Sequence, residues 1–341
     1  MAYIFKNLVF EGGGVKGIAY AGALEVLREY KILPKIKRVA GTSAGAIMAT
    51  LMGLGYTSKE IRDVFWALDF KNFMDDSWGI LQDSSRLINK YGWYKGDFFR
   101  SFIGSLIKEK TGNSETTFAD VKAMSKEGKP FLDIYLIGTN LSTGFSEVFS
   151  AEHTPRTCIA DAARISMSIP LFFASVRNFR NDVYVDGAVL DNYPIKVFDR
   201  EKYVRKNARR TDYYEVINEK KEKEKKRKIS DYVYNKETLG FKLSSKEEIA
   251  MFRDNAEVPH RTIENFFDYT SALLHTLIDA QENTHLHSDD WQRTIYIDTL
   301  GVSAIDFKIQ NAKKQELFDS GKSYTKSYLE WYDNKEPKAN K

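Results

Sequence analysis

Two strand-to-helix transitions near the start of this chain, each made through glycine, limit its folds more than any other feature. The first is "NLVFEGGGVKGIAYAGALEVL", Asn7 to Leu27, in which an apolar strand pattern enters three glycines and a helical pattern leaves. The second is "KRVAGTSAGAIMATLMGLG", Lys37 to Gly55, in which a short strand ends in Gly41-Thr42-Ser43-Ala44-Gly45 and a helix of small residues follows. Strand, sharp turn and helix in repetition describe βα units, so an α/β fold around a largely parallel sheet is expected. With the strands of these two units, at 6–10 and 37–41, others are expected at 131–140, 147–150 and 183–186. Between them, Thr57 and Glu60 form a capping-box pattern. Phe98, Phe99, Phe102, Ile103, Leu106 and Ile107 share one helical face, which Thr111-Gly112 closes. Ala19, Gly22 and Ala23 are small enough for their helix to pack closely on a sheet.

The first turn satisfies the dinucleotide spacing Gly12-x-Gly14-x-x-Gly17. A dinucleotide site also requires an acidic residue at the end of the second strand to hold the ribose. That strand ends in Val39-Ala40-Gly41, and no carboxylate follows until Glu60. The phosphate-loop pattern G-x-x-x-x-G-K-[ST] is absent. What is left is a row of backbone N–H groups at a helix N-terminus, a general site for anions.

The second turn matches G-x-S-x-G at a strand–helix junction, the context that motif requires. A nucleophilic serine must stand clear of a tight turn, and the residues two before and two after it approach neighbouring backbone. Gly41 and Gly45 meet that demand, and Ala40, Ala44 and Ala46 keep the surroundings small. The helix beginning at Ala44 aims its N-terminal dipole at the site. Beside such a serine, the anion held by the first turn would be the oxyanion of a tetrahedral intermediate. The two glycine turns then form one site.

The serine needs a base. None of the five histidines, His153, His260, His275, His285 and His287, lies in a strand-end turn. The pair in "HLH" at 285–287 has no cysteine or carboxylate cluster to complete a metal site, so no metal is expected. The stretch "DVYVDGAVLDNYP", Asp182 to Pro194, offers a better group: Asp186 ends an apolar strand and is followed by Gly187-Ala188, which permit close approach of another segment. Asp182 and Asp191 are alternatives in more polar, turn-like settings. An aspartate with its ordinary pKa of about 3.9 is a weak base, but burial beside an apolar acyl pocket would raise it. Phe65, Trp66, Phe70, Phe73, Trp78, Trp93, Phe98, Phe172 and Phe173 supply aromatic surface for such a pocket, most of it ordinary core.

Bulk properties narrow the remaining classes. Of the formal net charge of +4, the run Glu219 to Lys228, with seven basic and three acidic residues, accounts for the whole excess. The rest of the chain is near neutral, which argues against a nucleic-acid surface. Cys158 is the only cysteine, so no internal disulfide forms, in keeping with a reducing compartment. No apolar run approaches the roughly 18 to 20 residues that span a bilayer, and the N-terminus lacks a signal-peptide pattern. A soluble, cytoplasmic chain is expected, with any membrane contact peripheral. Three regions are expected: a catalytic domain over 6–199, a charged insertion or linker over 200–259 without strong strand signals and partly disordered around 217–228, and a region over 260–341 that packs back on the catalytic domain. That last region carries an apolar helical stripe at 263–278, a strand at 293–300 and a closing helix at 315–331. The charged run reads most simply as a solvated linker, and more sharply as a contact for anionic lipid headgroups.

Glu11-Gly12-Gly13-Gly14-Val15-Lys16-Gly17, Gly41-Thr42-Ser43-Ala44-Gly45 and Asp186-Gly187-Ala188 stand in this order, with "ARISMSIPLFF" at 163–173 and "DGAVLDNYPI" at 186–195. Together they resemble the patatin-like phospholipases, over roughly residues 6 to 199. The resemblance implies a three-layer α/β/α sandwich that hydrolyses acyl esters of lipids with a Ser–Asp dyad, without cofactor, histidine or metal. By position, Ser43 is the nucleophile and Asp186 the proton acceptor. Gly12, Gly13, Gly14 and Val15 supply the oxyanion hole, and Gly17, Gly41, Gly45, Gly187 and Ala188 complete the motifs. Glu11 stands where aspartate is usual, Lys16 where arginine is usual and Ala188 where glycine is frequent. The implied partner is a lipid at a membrane or micelle surface. An acyltransferase using the same acyl-enzyme, or a non-catalytic lipid-binding protein on the same scaffold, are the rival readings.

Overall fold

A computed structural model of the chain describes residues 3–74, 87, 89–204, 206–223, 231–246, 262–264, 268–270, 272–273, 276 and 289–334. In order, these form β1 (Asn7–Phe10), α1 (Ile18–Glu29), β2 (Arg38–Thr42), α2 (Ala44–Gly53), α3 (Ser58–Ala67), β3 (Gly92–Tyr94), α4 (Asp97–Thr111), α5 (Phe118–Lys126), β4 (Asp133–Asn140), β5 (Phe145–Ser150) and α6 (Ile159–Ser166). There follow β6 (Leu171–Phe173), β7 (Val176–Arg177), β8 (Val183–Asp186), α7 (Ala188–Asp191), β9 (Ala208–Arg209), α8 (Asp212–Lys223), β10 (Tyr234–Asn235), β11 (Thr238–Ser244), β12 (Thr294–Asp298) and α9 (Asn311–Asn334). The main sheet runs β12-β11-β1-β2-β4-β8-β7, with β5 on the free edge of β4. Its first five strands are mutually parallel; β5, β7 and β8 add antiparallel pairings.

Strand alternation divides the core. Leu8, Phe10, Ile134 and Leu136 point into the larger core under the helices. Their neighbours Val9 and Tyr135 point to the opposite face, where Tyr193, Ile195, Phe198 and Tyr203 cover the sheet. Period-two patterning with both faces buried is what a central α/β sheet requires. Helix α2 is buried on every side, which is why its sequence is small and apolar throughout. The local signals behave as expected. Thr57 and Glu60 close a reciprocal capping box at the start of α3, and Gly112 ends α4 in the left-handed region. Among the described residues no helix is long and apolar enough to cross a membrane.

Three expectations are corrected. The first concerns 200–259, where the sequence carries no strong strand signal. Strand β11 lies there, buried at all seven positions between β1 and β12. Its sequence, TLGFKLS, hides this because Gly240 and Lys242 interrupt the apolar pattern. Both have local reasons: Lys242 pairs with the buried Glu11 at 3.0 Å, and a Cβ on Gly240 would lie 1.9 Å from the Tyr193 hydroxyl. The second concerns Gly22, whose close contact is with a helix and not the sheet. A Cβ there would meet Phe318 O of α9 at 1.9 Å, and one on Gly321 of α9 would meet Ala19 O at 1.9 Å. The third concerns 217–228, whose residues up to 223 continue α8; the remainder lies outside the described residues. Most of the stripe at 263–278 also falls outside them. Strand 293–300 and helix 315–331 are present as β12 and α9, with shifted ends.

Candidate active site

Sheet register brings the two principal candidates together. Strand β2 runs parallel to β4 and ends with Thr42 opposite Ile137. Strand β8 runs antiparallel to β4 and ends with Asp186 opposite Gly138, the next residue along. Since β5 holds the other edge of β4 from Tyr135 to Asn140, β2 and β8 share one edge and meet end to end. Ser43 leaves the end of β2 and Asp186 is the end of β8, so residues 143 positions apart in the chain occupy adjacent places in the sheet. Gly187 makes the junction: a Cβ there would lie 2.5 Å from Ile137 O and 2.9 Å from Thr42 Cγ2.

The turn at Ser43 is a strained one. Its φ of 53° and ψ of −123° belong to a region that L-residues seldom occupy, at a cost of order 1–3 kcal/mol. Glycines on either side let the backbone close around it. A Cβ on Gly41 would be 2.1 Å from Gly45 O, and one on Gly45 would be 2.2 Å from Phe10 O. Ser43 precedes α2 yet its side chain does not cap the helix. Its N–H donates to Ser166 Oγ at 2.9 Å, and its hydroxyl is turned to Met167 Sδ at 3.5 Å.

Asp186 is 1% exposed. Its Oδ1 accepts the Ala188 N–H at 2.8 Å, while Oδ2 is buried without a hydrogen-bond partner. Burial pushes its pKa up to about 7, and the bond from Ala188 and the neighbouring Ser43 hydroxyl offset only part of that rise. The Ser43 hydroxyl is close enough to Asp186 to favour its ionised form, while its partner in this conformation is Met167 Sδ. The alternative acids are placed differently. Asp182 lies at the far end of β8, where Oδ2 accepts from Asn140 and Asn178 at 3.3 Å. Asp191 ends α7, and its backbone carbonyl accepts the Thr42 hydroxyl at 2.8 Å. Burial raises its carboxyl to about 7 as well, opposed by Lys196.

The glycine turn sits against Ser43: a Cβ on Gly12 would be 3.0 Å from Ser43 Cβ. Not all of its amides are available, which corrects the four-residue expectation. The Gly12 N–H donates to Asn192 O at 3.1 Å and the Val15 N–H to Ala304 O at 3.0 Å. The Gly13 and Gly14 N–H groups make no hydrogen bond among the described residues, so these two are the amides free to bind an anion. Gly14 has φ +55°, and a Cβ there would collide with Ala304 O at 1.9 Å. Gly17 lets the following helix reach α2, since its Cβ would lie 3.0 Å from Ala44 Cβ. Behind the turn, Glu11 accepts from Lys242, the Leu243 N–H and Asn192.

Sequence reasoning assigned no role to the residues that brace this site. Ser166 takes up the Ser43 N–H, and Ser168 O accepts the Asp186 N–H at 2.9 Å. Buried Arg164 holds that segment by donating to Ser168 Oγ and to the carbonyls of Lys95 and Ala174. All three lie in "ARISMSIPLFF", whose pattern was visible but whose function depends on contacts across the chain. Phe65, Phe70, Phe73, Phe172 and Phe173 are core, with Trp66, Trp93 and Phe98 packed at its border; Trp78 lies outside the described residues. His153 bonds Ser150 Oγ opposite Tyr135, near the other end of β4, and the remaining histidines lie outside the described residues.

A family model described as patatin-like phospholipase matches residues 8–199. The Bacillus subtilis protein YqhO, which carries no functional name, is 32% identical over 335 residues, covering 94% of this chain and 97% of its own. A protein of Invertebrate iridescent virus 6 named "Probable lipid hydrolase 463L" is 27% identical, covering 61% of this chain and 68% of its own. The crystal structure of VipD from Legionella pneumophila superposes with a TM-score of 0.62 at 16% identity, covering 98% of this chain and 67% of that one, a likeness of fold.

Proposed function

This chain belongs to the patatin-like phospholipase family, and on that footing we propose that it hydrolyses fatty-acyl esters of lipids through a Ser43–Asp186 dyad. The observation that carries the proposal is the buried, unpartnered Oδ2 of Asp186, on a strand that ends beside the strained serine turn. A buried polar atom without a partner costs free energy; at this position it is a vacant acceptor for the serine proton. Ser43 Oγ attacks the ester carbonyl carbon as its proton passes to Asp186. The carbonyl oxygen becomes an oxyanion held by the Gly13 and Gly14 amides. Collapse expels the alcohol, which takes the proton from Asp186, and leaves an acyl-serine. Water then attacks this ester with Asp186 again as base, releasing the fatty acid and restoring the hydroxyl. A carboxyl with a pKa near neutrality suits both directions of proton transfer, and an oxyanion donor of this kind is worth about 10²–10³ in rate.

The test is a panel of phospholipids, lysophospholipids and glycerides incubated with wild type and Ser43→Ala, with released fatty acids identified by mass spectrometry. Wild type is expected to release fatty acid from at least one lipid class, and Ser43→Ala to fall by on the order of 10⁴-fold or more. Substantial release by a verified Ser43→Ala sample refutes the dyad. Added acceptor alcohols that divert the acyl group into new esters would assign the same acyl-enzyme to a transferase.

A further inference from the structure

We propose that two fused hairpin tips, carrying Leu141, Phe145 and Phe179, are the surface by which this chain docks on an anionic lipid layer. This inference rests on the lipid reading above and adds to it the face that meets the substrate phase. The tips are the β4–β5 turn, 141–144, and the β7–β8 turn, 178–182. Three hydrogen bonds fasten one to the other: Leu141 N–H to Val183 O at 2.8 Å, Val183 N–H to Ser142 Oγ at 2.9 Å, and Asn140 Nδ2 to Asp182 Oδ2 at 3.3 Å. The second turn is also locked internally, since Asn178 Oδ1 accepts the N–H groups of Arg180 at 2.8 Å and Asp182 at 3.0 Å. On this fixed platform Leu141 is 51%, Phe145 72% and Phe179 91% exposed. One exposed apolar side chain is ordinary, but three on adjoining rigid tips mark an interaction surface.

Charge selects the partner. The cations point outward: Arg177 and Arg180 are exposed, Arg180 lies over the Phe179 ring at 5.3 Å, and Arg177 lies over the exposed Tyr91 at 5.9 Å. The carboxylates are drawn inward: Asp182 is held by Asn140 and Asn178, and Glu147 accepts the Tyr184 hydroxyl at 2.6 Å. Apolar and aromatic tips ringed by outward cations match the acyl boundary and the anionic headgroup layer respectively, since basic residues at such a surface are drawn to anionic headgroups. Position agrees. The dyad sits at the register of Ile137 and Gly138, and β4 continues past it to the tip, a distance of roughly 10–13 Å at the usual rise per residue. The tips thus project from the end of the sheet at which the serine turn and the glycine turn are placed.

The experiment uses the full chain carrying Ser43→Ala, so that lipid is bound and not consumed. It is sedimented with sucrose-loaded vesicles of phosphatidylcholine containing phosphatidylglycerol, and with phosphatidylcholine vesicles alone. The proposal expects stronger binding to the anionic vesicles. Leu141→Ser/Phe145→Ser/Phe179→Ser should lower the partition coefficient at least tenfold on both. Arg177→Gln/Arg180→Gln should lower it several-fold on anionic vesicles only, with a weaker salt dependence. With Ser43 intact, the triple serine variant should hydrolyse monomeric p-nitrophenyl butyrate at the wild-type rate and melt at the wild-type temperature. Wild-type binding by the triple variant, or no binding of the parent to either vesicle, overturns the docking surface. Absence of ester hydrolysis in the wild type, with vesicle binding that responds to the tips, would refute the hydrolase reading and leave the surface standing.

Discussion

At the scale of single residues, the candidate site is a trade between stability and reactivity concentrated on Asp186. Its folded carboxyl retains a proton up to about pH 7, whereas an unfolded aspartate loses it near 3.9. Between these values folding takes up a proton, so this group's stabilising contribution is full below about pH 4 and is lost as pH rises through about 7. Asp186→Asn removes that dependence. It is expected to be more stable than wild type at pH 8 by on the order of 3 kcal/mol, to lose nearly all of the advantage by pH 4, and to be inactive throughout. Urea denaturation of both proteins at the two pH values decides this; an equal difference at each would count against a buried charged base. In the same way, wild-type kcat/KM should fall about tenfold per pH unit below 7 as the base is protonated. Ser43 and Asp186 were legible because a nucleophile and a buried acid each need small residues beside them in sequence. Ser166 and Ser168 were not, because a serine that accepts one backbone N–H, or lends one carbonyl, carries no local mark of it. The occupied amides of Gly12 and Val15 were likewise invisible, since their acceptors, Asn192 and Ala304, come from distant segments.

At the scale of elements, the signals that are local in the chain were the readable ones. The capping box of α3 and the glycine stop of α4 need only neighbours three or four residues away, and both are present. The small residues of α1 announced a close approach but could not say to what. The partner is α9, through a crossing in which Gly22 and Gly321 each face the other helix's backbone. This crossing makes a diagnostic prediction. In a helix with open space, glycine to alanine stabilises by up to about 1 kcal/mol. Gly321→Ala should instead destabilise by about 1–3 kcal/mol, because the added methyl meets a carbonyl oxygen that no side-chain motion can clear. Chemical denaturation gives the sign directly, and a neutral or positive effect would show that the helices can separate without loss. Nearby, Lys314 donates to the carbonyls of Phe65 and Leu68 at 3.1 and 2.8 Å. A long-range lysine thus finishes α3, which has no glycine stop of its own.

At the scale of the whole molecule, the segment that matches the family model, residues 8–199, is not a self-sufficient sheet. Strand β1 pairs on one side with β2 and on the other with β11, which in turn carries β12. Glu11, at the base of the glycine turn, is charge-paired by Lys242 at 3.0 Å. The turn itself is overlaid by Ala304, and α1 by α9. Asp199, the last residue of the matched segment, is fully buried and grips Arg293 at 2.6 and 2.7 Å, while Arg293 also bonds Asp290 at 2.6 Å. The sequence reads as a linker over 200–259 because dense charge usually means solvent. In this fold Lys242, from that stretch, is interior and paired with Glu11, and periodicity cannot tell such a charge from a solvated one. A chain ending at residue 199 would expose the β1 edge, strand Glu11 in the interior without its cation and leave Asp199 without its own. It is therefore expected to show no cooperative thermal transition and no labelling of Ser43 by a fluorophosphonate probe, whereas the full chain shows both. Arg293→Met, which leaves two buried carboxylates without their shared cation, should cost about 3–5 kcal/mol in the full chain. If residues 1–199 alone melt cooperatively and label at Ser43, then β11, β12 and α9 are ornaments on a finished domain, and the site owes nothing to them.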